Sequence, residues 1–393
     1  MSVPSAQQGA VTLGTVLLLL STATLLLYAL QHPPTNPHID HTASPAYIVQ
    51  AHHTSTRPLN DPPSFDANQY NLGDGVSIAM KEPATPPDSL PSDPYAQYIY
   101  HKELQLNGDH GMQPKIRRTI VVGDIHGSLQ GFNTFLKKVD YDRNKDVLIL
   151  AGDLVAKGPH SLQVIDRARE LDAKCVRGNH DDKVIRWRGY LDSLSSREQS
   201  VLEAEEDDET EEDQGNWGLE DDWTVRKRRR TRRPRSSIPS DLDRKSEHYR
   251  LARTMTKAQY DYLRNCPLIF TLPKELSIHN IPVHVVHAGI DPHRGILKQK
   301  PWVLINVRNL LKDGTPTRKK KSGRGWAKEF NEMHNRRSPS KRDFLVVYGH
   351  DAGRSLNVMA WSIGIDSGCI YGRRLTGYVV ETGEILSVRC PRN

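Results

Sequence analysis

The sequence carries no lysine or arginine before Arg57, no Asn-x-Ser/Thr sequon, and no C-x-x-C spacing among its four cysteines, Cys175, Cys266, Cys369 and Cys390. The first absence withholds the flanking positive charge that would orient a membrane segment. The second removes N-glycosylation as a sign of lumenal placement. The third excludes the compact thiolate metal site and the dithiol redox motif, so the cysteines read as buried free thiols. Apolar residues make up 37% and aromatics 7% of the 393 residues. That is little for a chain folded throughout, and unfolded segments are expected beside one folded domain.

The longest uncharged run, residues 10–30, is leucine-rich. As a helix rising about 1.5 Å per residue it spans the roughly 30 Å of a bilayer core. It is long for the apolar part of a cleaved signal peptide and lacks a basic start, so an uncleaved anchor behind a short tail at 1–9 is expected. Residues 31–114 are rich in Pro, His, Asp and Ser with no sustained period, and read as a mostly disordered stalk. Its scattered histidines (His32, His38, His41, His52, His53) read as solvated.

A folded domain is expected over 115–390. Thr119–Val122 is a β-branched run, and Leu129, Phe132, Leu136 and Val139 then share a helical face. A second strand at 146–151, a helix carrying Leu162, Ile165, Ala168 and Leu171, and a third strand at 173–177 complete a βαβαβ pattern with a parallel sheet. Acidic and then basic runs mark 193–244 as a disordered insertion, because like charges repel. Helical periodicity returns at 249–263, with further strands at 268–272, 283–286, 344–348 and within 363–380. A second basic segment, 312–342, reads as a loop.

Short glycine-bounded motifs follow these strands in order: Gly123-Asp124-Ile125-His126-Gly127, Gly152-Asp153, Gly178-Asn179-His180-Asp181, His287-Ala288-Gly289 and Tyr348-Gly349-His350. Taken singly, each has an ordinary reading: Gly-Asp as a turn, Asp153 as a helix cap, a lone histidine as a structural side chain. Taken together, and placed at the carboxyl ends of strands that converge on one crevice, they form a ligand set for two cations. Asp124, His126, Asp153, Asn179, His287 and His350 are the candidate ligands, with Asp153 suited to bridge and His180 left to donate a proton. Mixed imidazole and carboxylate donors favour Zn²⁺, with Mn²⁺ or Fe²⁺ as alternatives, over Ca²⁺ or Mg²⁺. A pair of such ions activates water and clamps phosphoryl oxygens. Lys157 and Arg177 lie beside the motifs and can neutralise a phosphoryl group; Arg373 and Arg374 are further candidates.

The ordered set GDIHG, GDLVAKGP, RGNHD, HAG and YGHDAG resembles the calcineurin-like metallophosphoesterases, in the branch shared by phosphoprotein phosphatases and symmetrical diadenosine tetraphosphatases, over about 116–388. The resemblance implies an α/β fold, a metallophosphoesterase β-sandwich flanked by helices (αββα), here with a single N-terminal transmembrane helix. It also implies Asp124, His126 and His287 around one ion, Asp153 bridging, Asn179 and His350 toward the other, and His180 as general acid. Protein phosphatases carry Asp and Arg where this chain has Ala156 and Lys157. That Asp orients the catalytic histidine in those enzymes, which leaves the orienting group of His180 open here, with Asp181 and Asp182 as candidates. Ile365-Asp366-Ser367-Gly368-Cys369 is closer to the tetraphosphatase form.

Anchor, stalk and basic loops together resemble the fungal zinc-dependent vacuolar endopolyphosphatases. That implies a type II anchor in the vacuole membrane, a lumenal domain, and internal cleavage of polyphosphate. A net charge of +7 would steer such a polyanion. The alternatives are a dinucleoside tetraphosphatase, a Ser/Thr protein phosphatase, or a silent scaffold, against which the complete ligand set argues. Nucleic acid is not expected as a partner, because the basic run 226–235 has no interleaved aromatics.

Overall fold

The computed structural model describes residues 71–72, 76–79, 93–106, 116–200, 202, 238–338, 341 and 343–392. The expected tail, the anchor at 10–30, most of the stalk and the centre of the charged insertion lie outside these residues. Among the described residues no helix is long and apolar enough to cross a membrane.

In chain order the strands are β1 (Asn71–Leu72), β2 (Val76–Ala79), β3 (His101–Leu106), β4 (Arg118–Val122), β5 (Asp146–Leu150), β6 (Lys174–Cys175), β7 (Ile269–Leu272), β8 (Val283–Val286), β9 (Asn309–Leu310), β10 (Pro316–Thr317), β11 (Arg324–Gly325), β12 (Leu345–Tyr348), β13 (Asn357–Val358), β14 (Ser362–Gly364), β15 (Arg374–Val379) and β16 (Ile385–Arg389). The helices are α1 (Leu129–Lys138), α2 (Ser161–Glu170), α3 (Asn179–Ser193), α4 (Glu247–Thr254), α5 (Lys257–Arg264), α6 (Pro301–Asn306) and α7 (Trp326–Arg336).

One sheet has the order β16-β15-β4-β5-β6, a second β1-β2-β3-β7-β8-β12-β14-β13, and β10-β9-β11 form a small third. The two large sheets pack face to face, and the two-residue side-chain period of a strand explains why. Val121, Val147 and Ile149 of the first sheet meet Phe270, Val283, Val285, Leu345 and Val347 of the second in one apolar layer. Their neighbours Ile120, Val122, Leu148 and Leu150 point the other way, into a cluster with α1 to α5. On the far side Val286, Val346 and Tyr348 pack against Val303, Trp326 and Phe330 of α6 and α7. Strands buried on both faces read as unbroken apolar runs, as these do. The order helices, sheet, sheet, helices is the αββα arrangement expected.

Several boundaries differ from the expectation. The last part of the supposed stalk belongs to the domain: β3 pairs in parallel with β7, and Tyr100 and Leu104 are buried. A short strand with so few apolar residues gave little periodic signal. Within the supposed loop 312–342 lies α7, whose Trp326, Phe330 and His334 are buried while its lysine and arginine lie elsewhere; a basic average hid an amphipathic helix. The ends of the charged insertion are also packed. Leu202 and Leu242 join the core, and Arg186 forms a two-pronged pair with Asp241.

The cysteines are not free thiols. Cys175 is bonded to Cys266, and Cys369 to Cys390. Partners separated by 91 and 21 residues leave no local spacing to read. Only the packing of the folded domain brings the end of β6 beside the approach to β7, which lies in the other sheet, and there the Arg177 amide also donates to the Pro267 carbonyl.

Candidate metal centre

Parallel pairing of β4 with β5 and β5 with β6, and of β8 with β12 and β12 with β14, sets the carboxyl ends of strands from both sheets along one edge. Asp124 and His126 follow β4, Asp153 follows β5, Asn179 opens α3, His287 follows β8, and His350 follows β12. The chain turns sharply at each point. His126, Asp153 and His350 adopt positive φ angles of 48°, 51° and 71°. Such backbone costs an estimated ~1–3 kcal/mol per residue and persists where the surroundings over-determine it.

Asp153 is the hub. Its Oδ2 lies 3.5 Å from His126 Nε2, its Oδ1 lies 3.4 Å from His287 Nε2, and Oδ1 also accepts the His180 amide at 2.9 Å. Around it, His126 Nε2 is 3.9 Å from Asp124 Oδ2. His287 Nε2 is 3.1 Å from Asn179 Oδ1 and 3.2 Å from His350 Nδ1. The His350 amide donates to both oxygens of Asp124. Two glycines permit this crowding: a Cβ on Gly178 would stand 2.2 Å from Asp153 Oδ1, and one on Gly349 2.1 Å from Asp124 Oδ1.

The unused ring nitrogens show which atoms face the centre. His287 Nδ1 lies 2.8 Å from the Ala151 carbonyl, His126 Nδ1 3.2 Å from that of Val155, and His350 Nε2 3.3 Å from that of Asn306. A carbonyl only accepts, so each of these nitrogens carries a proton, and in the neutral ring that a cation requires the other nitrogen turns its lone pair inward. This is the support expected behind metal-binding imidazoles. Two groups could each hold an ion: His126 with Asp153 and His180, and Asp153 with His287 and His350. The donor set therefore fits two divalent cations.

Without cations the electrostatics are unbalanced. Burial, with Asp366 nearby, pushes the Asp124 carboxyl well up. Burial opposes charge on His287, but Asp153 and Asp124 outweigh it and lift the imidazole to about 9. Burial lowers His126 and His350, and takes His180 down to about 3.

The structure regroups one predicted ligand. His287, expected beside Asp124 and His126, instead faces Asn179 and His350 across Asp153. Arg177 is not a phosphate contact: it is fully buried and donates to the carbonyls of Ala96, Gln97 and Arg264. Lys157 is at the site, its Nζ 2.9 Å from His126 Nε2. Arg373 donates to the Ala352 carbonyl, and Arg374 stands exposed on β15.

Neither Asp181 nor Asp182 orients His180. Asp181 accepts from the amides of Gly178, Leu154 and Val155, and Asp182 faces Arg177. The group that meets His180 Nδ1 is His248 of α4, with Nε2 at 2.8 Å. Sequence reasoning missed His248, a single histidine on a helix behind a charged segment. It also gave no role to Asp366, whose buried carboxyl interacts with His126 and Asp153.

The calcineurin-like phosphoesterase family matches residues 117–371, which include every one of these side chains apart from Arg373 and Arg374. The chain belongs to the calcineurin-like phosphoesterases. It is a hydrolase of the metallophosphoesterase kind. Among its relatives, the asymmetrical bis(5'-nucleosyl)-tetraphosphatase PrpE of Anoxybacillus flavithermus is 28% identical over 290 residues, covering 68% of this chain and 92% of that protein. The corresponding protein of Oceanobacillus iheyensis is 24% identical over 282 residues, covering 68% and 90%. A symmetrical bis(5'-nucleosyl)-tetraphosphatase of Colwellia psychrerythraea is 51% identical, but over 63 residues, 16% of this chain and 22% of that one. A crystal structure provisionally assigned to a diadenosine tetraphosphatase is 28% identical with a TM-score of 0.50, covering 70% of this chain and 95% of that one.

Proposed function

We propose that this calcineurin-like phosphoesterase hydrolyses phosphoanhydride bonds, with dinucleoside tetraphosphates as the first substrate class. The observation that carries this reading is the convergence of five further donors around Asp153, together with tetraphosphatase relatives spanning 68% of the chain. Asp124, His126 and Asp153 would hold one cation, and Asp153, Asn179, His287 and His350 the other; Zn²⁺ suits the donors, ahead of Mn²⁺ or Fe²⁺. When bound, such a pair supplies Lewis acidity toward phosphoryl oxygens and a water nucleophile near neutral pH. Lys157 neutralises the phosphoryl group. Oxygen from water would join phosphorus as the bridging P–O bond breaks, and His180 would pass the proton released by that water to the departing phosphate oxygen.

A second reading, internal cleavage of polyphosphate, is favoured by the surface beside His350. Arg308 donates to the His350 carbonyl, and its neighbour Asn309 accepts from Arg354 and donates to the Lys319 and Lys320 carbonyls. The exposed run Arg318-Lys319-Lys320-Lys321 thus starts close to the centre, where a long polyanion could be held. Turnover of diadenosine tetraphosphate, long-chain polyphosphate and a phosphopeptide by the metal-loaded protein tests both. Fastest cleavage of the first supports the leading reading, and fastest cleavage of the second supports the alternative. Activity confined to the phosphopeptide defeats both.

We also propose that the domain works in an oxidising compartment, a vacuole lumen behind the anchor at 10–30. Two disulfides support this, because such bonds persist outside reducing cytosol. Protease protection of the domain in intact vesicles checks it; digestion without detergent would refute it.

A further inference from the structure

We propose that His248 is the positioning residue for His180, the imidazole that this chain supplies in place of the orienting carboxylate missing at position 156. The inference rests on the phosphoesterase reading and on His180 as proton donor.

Three observations converge. First, position 156 offers nothing: Ala156 is buried, and its amide is taken by Ser161 Oγ at 3.0 Å. Second, both nearby carboxylates are committed elsewhere, Asp181 to three backbone amides and Asp182 to Arg177. Third, His248 meets the one ring atom an orienting group must meet. Its Nε2 lies 2.8 Å from His180 Nδ1, while the ring centroids are 5.0 Å apart and the planes differ by 24°. Nearly coplanar rings with so short a nitrogen contact at that separation meet edge to edge along an N–H···N bond, not face to face.

The surroundings hold His248 in place. It sits in the first turn of α4, capped by the Ser246 side chain. The next residue, Tyr249, is buried edge-on against Trp187 of α3, with centroids 4.8 Å apart. The preceding residue, Glu247, accepts the Lys157 amide at 2.7 Å. One helical turn therefore fixes both the loop that carries Lys157 and the ring of His180.

The chemistry follows from the direction of that bond. With Nδ1–H of His180 donated to His248 Nε2, the Nε2 of His180 is the atom left to take up a proton and pass it on, and its ring is kept from turning. A neutral imidazole partner orients without adding negative charge. The residue need only accept, so a glutamine should replace it and an apolar side chain should not.

The experiment uses the metal-loaded protein with phenyl phosphate and p-nitrophenyl phosphate, esters that differ in how far the leaving oxygen needs a proton. His248→Ala should lower kcat on phenyl phosphate by about 10- to 100-fold, with a smaller loss on the nitrophenyl ester and KM and metal content unchanged. His248→Gln should restore most of kcat. Adding His248→Ala to His180→Ala should cost nothing further, because the two act as a unit. His248→Met, which keeps bulk without an acceptor of comparable strength, gives the same comparison should the alanine variant fail to fold. Equal losses on both esters, additive losses in the double variant, or no rescue by Gln would overturn the inference. A metal-loaded wild type that cleaves neither these esters nor diadenosine tetraphosphate would overturn the phosphoesterase reading and this inference with it; one that cleaves only the tetraphosphate moves the same variant comparison, with Gln rescue and the double variant, onto that substrate.

Discussion

At the scale of single residues, Asp153 and His180 separate holding the cations from moving a proton. Asp153 reaches both halves of the centre with its two oxygens, so Asp153→Ala should abolish activity and metal content together, as read by elemental analysis of purified protein. His180 lies close enough to His126 and Asp153 to count geometrically among possible ligands, but its Nδ1 is already engaged by His248. His180→Ala should therefore keep both metals while kcat falls by about 10² to 10⁴-fold, the usual cost of a lost general acid. Loss of a metal would instead make it a ligand. The six candidate ligands could be picked out in the sequence because five stand next to a glycine, and His287 two residues before one, close behind a strand. The side of Asp153 that His287 faces could not, since chain order says nothing about which carboxylate oxygen a ring meets. His248 was invisible for a related reason: its importance comes from one contact across 68 residues of sequence.

At the scale of elements, strands buried on both faces were easy to recognise as apolar runs, as were the βαβ units around β4, β5 and β6. Elements whose buried residues are diluted by charge were missed: α7 inside a basic stretch, β3 inside a proline-rich one, and the packed ends of the charged insertion. These ends change an expectation. Removing residues 195–244 would take away Leu202 and Leu242 from the core and Asp241 from Arg186, so that deletion should destabilise the domain. Leu242→Ala alone should cost about 2–4 kcal/mol in denaturant unfolding, from lost burial and the cavity left behind. An unchanged midpoint would show that this segment is dispensable.

At the scale of the whole molecule, two features outside the centre govern robustness. Burial raises the Asp146 carboxyl, but paired hydrogen bonds from Arg117 and Arg118 outweigh it and hold the group at about 2 against an ordinary 3.8. A depressed folded value means stability that is complete above the ordinary value and fades as pH falls from there through about 2. The Tm difference between metal-stripped wild type and Asp146→Asn should therefore be full at pH 6 and vanish near pH 2. The Cys175–Cys266 bond closes a 91-residue separation. Its removal by paired Ser substitution should cost roughly 2–5 kcal/mol, read as a lower Tm that added reductant no longer shifts as far.

The two large sheets contribute different donors: Asp124, His126, Asp153 and Asn179 come from one, His287 and His350 from the other. A cation held by Asp153 and Asn179 together with His287 and His350 would thus be a rivet across the sandwich, and the layers could not part while it stayed. Chelation should loosen the join before it unwinds either layer, and the melting temperature becomes a gauge of free metal, gaining about 2.7 kcal/mol of stability at a hundredfold excess over Kd.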